Sequence, residues 1–86
     1  MELVVTDTTP LIALDRVGHL HLLPALFDVI APPSVVSEFG RRPPWLREHS
    51  VPNPSRVTAL LETLDLGEAE AIALAESLPG ARLLIA

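Results

Sequence analysis

Leu3-Val4-Val5-Thr6-Asp7-Thr8-Thr9-Pro10-Leu11-Ile12-Ala13-Leu14 is the stretch from which the rest of the chain can be read. Leu3 to Thr6 is a short, continuously apolar run, as expected of a strand covered on both faces. Asp7 follows it directly, at the strand's C-terminal edge. Two hydroxyl residues and a proline come next. Thr8 or Thr9 suits the N-cap of a helix, and Pro10 suits its first position, where a missing N–H has no helical partner. Leu11, Ile12 and Leu14 supply a buried helical face, and Gly18 ends it. In open parallel sheets, sites form outside the carboxyl ends of the strands. Asp7 alone supports two readings: a carboxylate that caps the helix and gains from its dipole, or a functional acid.

Outward from this stretch, strand and helix patterns alternate. His19 to Leu23 opens a second short helix. Pro24 is tolerated in a first turn, which places the helix over Leu22–Phe27 with Leu22, Leu23, Leu26 and Phe27 inward. Asp28 to Ala31 is a strand. Pro32-Pro33-Ser34 starts a third helix that turns Val35, Val36 and Phe39 to the core. Gly40 to Pro44 is a basic loop, and Trp45 to Val51 reads as a polar edge strand. Val57, Leu60, Leu61 and Leu64 follow helical spacing. Leu66-Gly67 interrupts that helix. Glu68 to Glu76 is strongly helical by propensity. After the Pro79-Gly80 turn, Ala81 to Ala86 reads as another buried strand. The alternation predicts one α/β domain over residues 1–86 with a parallel sheet. It also predicts an unfinished C-terminus, since no helix follows to cover the last strand.

Composition narrows the function classes. The chain has 86 residues, 49% of them hydrophobic, and no cysteine. Its mean hydropathy is +0.41. Disulfides and thiolate metal sites are excluded, and a cytoplasmic location is expected. No apolar run approaches the roughly 18 residues of a membrane span, and the N-terminus does not read as a secretion signal. The net charge is −5, from eleven acids against six arginines. Such a chain is a poor non-specific ligand for nucleic acid, unless clustered acids share a divalent cation that reverses the local sign.

The carboxylates carry the strongest chemical signal. Asp7 ends the first strand, Glu38 lies in the helix after the second, and Glu68 and Glu70 open the helix before the last. Acids brought together from separate elements suit Mg²⁺ or Mn²⁺, which take oxygen ligands. Each also has an ordinary reading: Glu38 as a solvated helix residue, Glu68 and Glu70 as acids favoured at a helix start. Arg41, Arg42 and Arg47 with Trp45 form a basic segment with one aromatic, either a nucleic-acid contact or an exposed loop. His19 and His21 face different sides of a helix and share no metal spacing. Phosphate-binding glycine loops and a nucleophile elbow are absent.

Three segments together resemble PIN-domain proteins: Val5–Leu14, Ile30-Ala31-Pro32-Pro33-Ser34-Val35-Val36-Ser37-Glu38, and Leu66-Gly67-Glu68-Ala69-Glu70-Ala71-Ile72-Ala73-Leu74-Ala75. The resemblance is to a prokaryotic PIN-like branch with nucleic-acid-binding and toxin-like members. It implies a three-layer α/β/α sandwich and a Mg²⁺- or Mn²⁺-dependent ribonuclease. Such proteins are often dimeric and often the toxin of a toxin–antitoxin pair, so RNA and an antitoxin-like protein are the implied partners. Asp7 matches the first acid and Glu38 the second. Glu68 best matches the third, with Glu70 the alternate. Thr8 or Thr9 matches a hydroxyl position that orients a ligand or water. The family continues with further acids and a helix after a strand like Leu83-Leu84-Ile85, and here the chain stops. That departure predicts weak or no activity for this chain alone. The competing expectation is a non-catalytic oligomerisation or protein-binding module derived from a PIN domain.

Overall fold

Val4, Val5 and Thr6 are buried in the first strand, β1 (Glu2–Thr6), and every other layer packs around it. The computed structural model describes residues 1–85. After β1 come α1 (Thr8–Arg16), α2 (Leu22–Leu26), β2 (Phe27–Ala31), α3 (Pro33–Phe39), β3 (Leu46–Glu48), α4 (Pro54–Leu60), α5 (Leu66–Ser77) and β4 (Arg82–Leu84). The four strands form one sheet in the order β3-β2-β1-β4, and all pairings are parallel.

Strand periodicity of two divides the core between the sheet's faces. Val29 and Ala31 of β2 pack on one side with Leu11, Leu23 and Val35, from α1, α2 and α3. Ile30, between them in sequence, packs on the other side with Val5 and with Ala71 and Leu74 of α5. A further cluster of Val57, Ala69 and Ala73 seats α4 on α5. Small residues on α5 let that helix lie close to both the sheet and α4. The architecture is the expected α/β/α sandwich around a parallel sheet.

Several element boundaries differ from expectation, each for a local reason. Asp7, not Thr8 or Thr9, is the N-cap of α1, so Pro10 is the third helical residue rather than the first. It is still tolerated, because the first N–H groups of a helix lack intrahelical acceptors. In α2 only Leu23 is buried, while Leu22 and Leu26 are exposed and Phe27 belongs to β2. A five-residue helix presents too narrow a face to bury them all. Leu66-Gly67 does not break a helix but begins one. Asp65 caps α5, whose N-terminus lies two residues before the expected start. The helix expected to run through Leu64 ends at Leu60 and gives way to a turn. β3 is an edge strand as expected, but spans only Leu46–Glu48. β4 lies at the opposite edge, with Arg82 and Leu83 exposed rather than buried. The part of that expectation falling on Ala86 lies outside the described residues.

Candidate functional site

In a parallel sheet, the helix after a strand begins at the strand's C-terminal edge, and so does the helix returning to the next strand. This topology gathers Asp7 after β1, α3 after β2, and the start of α5 before β4. Asp7 is 6% exposed. Its N–H donates to Leu84 O at 3.1 Å, tying the site to β4. Its carboxylate accepts from Thr8 N–H, so the capping reading of Asp7 holds. Capping engages one oxygen of the carboxylate and leaves further acceptor sites for another role.

Asp65 enters this group although the sequence reading omitted it. Its carboxylate accepts from Glu68 N–H at 2.9 Å and caps α5. The signal was present as Asp65-Leu66-Gly67-Glu68, an N-cap residue followed three positions later by glutamate. Gly67, buried in the first turn of α5, brings these acids near Asp7. A Cβ built on it would lie 3.6 Å from Asp7 Oδ1 and 3.7 Å from Asp65 Oδ1. Ser34, Ser37, Glu38, Asp65 and Gly67 line a cleft of about 310 Å³ beside this point.

The electrostatics report mutual repulsion. The Asp7 carboxyl is held above its ordinary range, first by burial and then by the charges of Asp65 and Glu38, against an opposing hydrogen bond from Thr8. Glu68 is also raised, chiefly by Asp65, with desolvation and Asp7 adding to it. Four other acids are neutralised by arginine: Asp15 by Arg41 at 2.6 Å, Asp28 by Arg47 at 2.8 Å, Glu76 by Arg56 at 2.9 Å and Glu2 by Arg82 at 2.7 Å. Among the described residues, Asp7, Glu38, Asp65 and Glu68 have no such ion-pair partner. The N-terminal dipoles of α1 and α5 offset part of their charge.

The remaining expected residues separate. Glu70 Oε1 accepts from Ser34 N–H at 3.1 Å, so this side chain is tied to the start of α3. Thr8 is 2% exposed, and its Oγ1 has no hydrogen-bond partner. Thr9 is exposed. Arg41, Arg42 and Trp45 follow the C-terminus of α3, which returns the chain to the N-terminal edge of the sheet, away from Asp7. Arg41 is paired with Asp15 and lies 5.1 Å from the Phe39 ring centroid. Trp45 packs against the core formed by Leu11, Val29 and Leu46. The joint nucleic-acid contact expected of Arg41, Arg42 and Trp45 is therefore not assembled at the acids.

Fold and site together define an α/β/α domain with a carboxylate cluster at the C-terminal edge of its sheet. The chain belongs to the PIN-domain family: the family model DUF3368, a PIN domain, matches residues 3–86. No curated protein and no solved structure matches the chain significantly. Among the described residues, no helix is long and apolar enough to cross a membrane.

The donors available are carboxylate oxygens, which suit a hard divalent cation. Among the described residues, no three His, Asp or Glu side chains converge on one ion-sized point. A Mg²⁺ ion here would have to be held through one or two carboxylates, with water and phosphate oxygens completing the shell, as is usual for that ion.

Proposed function

We propose that the chain is a Mg²⁺- or Mn²⁺-dependent ribonuclease of the PIN family. The observation carrying this reading is the cluster of Asp7, Glu38, Asp65 and Glu68, which repel one another with no arginine paired to them among the described residues, whereas Glu2, Asp15, Asp28 and Glu76 each have one. A divalent cation there would relieve the repulsion and offer a counter-charge to an RNA phosphate, which the net charge of −5 otherwise repels. Asp7 and Glu68 are the first candidates to hold the ion, with Glu38 and Asp65 beside them. When bound, the ion supplies Lewis-acid stabilisation of phosphate charge and a more acidic water. Asp7 also orders the start of α1 through Thr8 N–H, and its backbone bond to Leu84 fixes its position. The buried Thr8 Oγ1, which has no hydrogen-bond partner among the described residues, is a candidate to orient a water or ligand. Glu70, held by Ser34, does not join this set.

The test is Mn²⁺-dependent cleavage of a fluorescently labelled single-stranded RNA, with Asp7→Asn as control. Cleavage lost in the variant supports the reading. No cleavage together with no metal-induced rise in melting temperature overturns it.

A second reading, protein binding or dimerisation, is favoured by the exposed apolar residues of α2. Leu22 and Leu26 are one turn apart on the same helix face, 42% and 60% exposed. Sedimentation would show a species heavier than the monomer that dissociates in Leu26→Glu. A stable monomer at micromolar concentration, with no antitoxin-like partner bound, excludes this reading.

A further inference from the structure

A second cleft of about 310 Å³ opens on the same edge of the sheet. Pro33 at the start of α3, Val51 after β3, and Pro54, Val57 and Thr58 of α4 form its walls, with Glu70 of α5 its one carboxylate. The two clefts share a boundary. Ser34 lines the acid cleft and donates its N–H to Glu70 Oε1 at 3.1 Å. That bond leaves Glu70 Oε2 without a hydrogen-bond partner among the described residues.

We propose that this second cleft binds a guanine base of single-stranded RNA, with Glu70 as the residue that reads it. The proposal rests on the ribonuclease reading of the neighbouring cleft. Proline and valine walls suit the apolar faces of a base, as in pockets that hold an unstacked nucleotide. The volume is that of a small-ligand site. An ionised carboxylate only accepts hydrogen bonds. Guanine presents two adjacent donors, N1–H and the N2 amine, on its Watson–Crick edge. Adenine and cytosine place a ring acceptor beside their single amine, and uracil flanks its N–H with two carbonyls. All three set an acceptor against the carboxylate. A base edge is open to such reading in single-stranded RNA, where it is unpaired. Glu70 is thereby a specificity residue rather than an ion ligand.

The test titrates the full chain with each of the four ribonucleosides, without divalent cation, and follows backbone amide shifts by NMR. Nucleosides avoid repulsion between a phosphate and the acid cluster. Guanosine is expected to move Val51, Val57 and Thr58 and to bind at least about 10-fold tighter than the other three, the discrimination of a good two-bond base contact. Glu70→Gln keeps an oxygen for Ser34 N–H but replaces the second acceptor with a donor, and should abolish the preference. Thr58→Trp, which puts a bulky side chain on the α4 wall of the cleft, should weaken all binding. Equal affinities, shifts that map elsewhere, or a preference that survives Glu70→Gln would overturn the proposal. Mn²⁺-dependent cleavage is measured in parallel. Guanosine binding here, with neither cleavage nor a metal-induced rise in melting temperature, keeps the cleft and removes the ribonuclease reading. Cleavage indifferent to guanine and to Glu70→Gln removes the cleft and keeps the ribonuclease reading.

Discussion

Gly67→Ala separates stability from function at the candidate site. Gly67 is buried in the first turn of α5, and its backbone is in a conformation that alanine also adopts. The added methyl would lie 3.6 Å from Val35 Cγ2, 3.6 Å from Asp7 Oδ1 and 3.7 Å from Asp65 Oδ1. These are ordinary contact distances, so no neighbour has to move. Replacing glycine by alanine inside a helix gains about 1 kcal/mol, mostly from the unfolded chain's lost freedom. Part of that is offset here, because the methyl excludes water from two carboxylate oxygens. A net gain of about 0.5 kcal/mol corresponds to a rise in Tm of about 2–4 °C for a domain of this size. The same methyl covers the approach to Asp7 and Asp65. A ligand at 100 times its Kd adds about 2.7 kcal/mol of stability to a protein that binds it, and Gly67→Ala should lose most of any such increment. Thermal melts with and without Mn²⁺ read both effects. A metal-free Tm that falls by several degrees would show that the space is absent. A raised Tm with an undiminished metal increment would show that Gly67 does not border the ion's site.

Other variants probe the charges and the core. Burial and like charges raise the folded-state carboxyl of Asp7 above its unfolded value. Folding therefore disfavours the charged form: the destabilisation is fully present above the folded-state pKa and disappears as pH falls below the unfolded one. Asp7→Asn, which keeps an acceptor for Thr8 N–H, should melt higher than the parent at pH 7 without metal and lose that advantage towards pH 3. A lower Tm at pH 7 would refute the repulsion argument. Asp65→Asn removes a charge but keeps the cap on Glu68 N–H, whereas Asp65→Ala removes both; urea unfolding should find the alanine variant less stable by about 1 kcal/mol. Equal stabilities would mean that the cap contributes nothing. Leu74→Ala opens a cavity between α5 and the sheet, at a fully buried position against Val5 and Ile30, and should cost about 2–5 kcal/mol. Circular dichroism melting would detect this, and a loss below 1 kcal/mol would show that the α5 layer packs loosely.

Much of the architecture was legible in local pattern. Leu3–Thr6 and Val29–Ala31 are apolar runs bounded by turn residues, and α5 is rich in strong helix formers, so element type and order followed directly. Asp7 was legible as a candidate site residue because a strand, an acid and a helix start coincide there. Boundaries were harder where a cap decides them. Thr8 and Thr9 were plausible caps by type, but Asp7 already met the first N–H. Leu66-Gly67 suggested a break, yet Asp65 capped a helix through it.

By itself, the sequence determined the class of fold and the order of its elements, because strand and helix periodicity and turn chemistry are local properties, and its resemblance offered Asp7, Glu38 and Glu68 as candidate acids. Tertiary structure alone decided the company these acids keep. It brought Asp65 into the cluster through the start of α5, held Glu70 on Ser34, and carried Arg41 and Arg42 to the opposite edge of the sheet. The physical reason is that proximity between side chains on different elements depends on strand order and helix direction. Trp45 shows the same limit: its type suited a base-stacking loop, and only the tertiary structure showed it half-buried against the core.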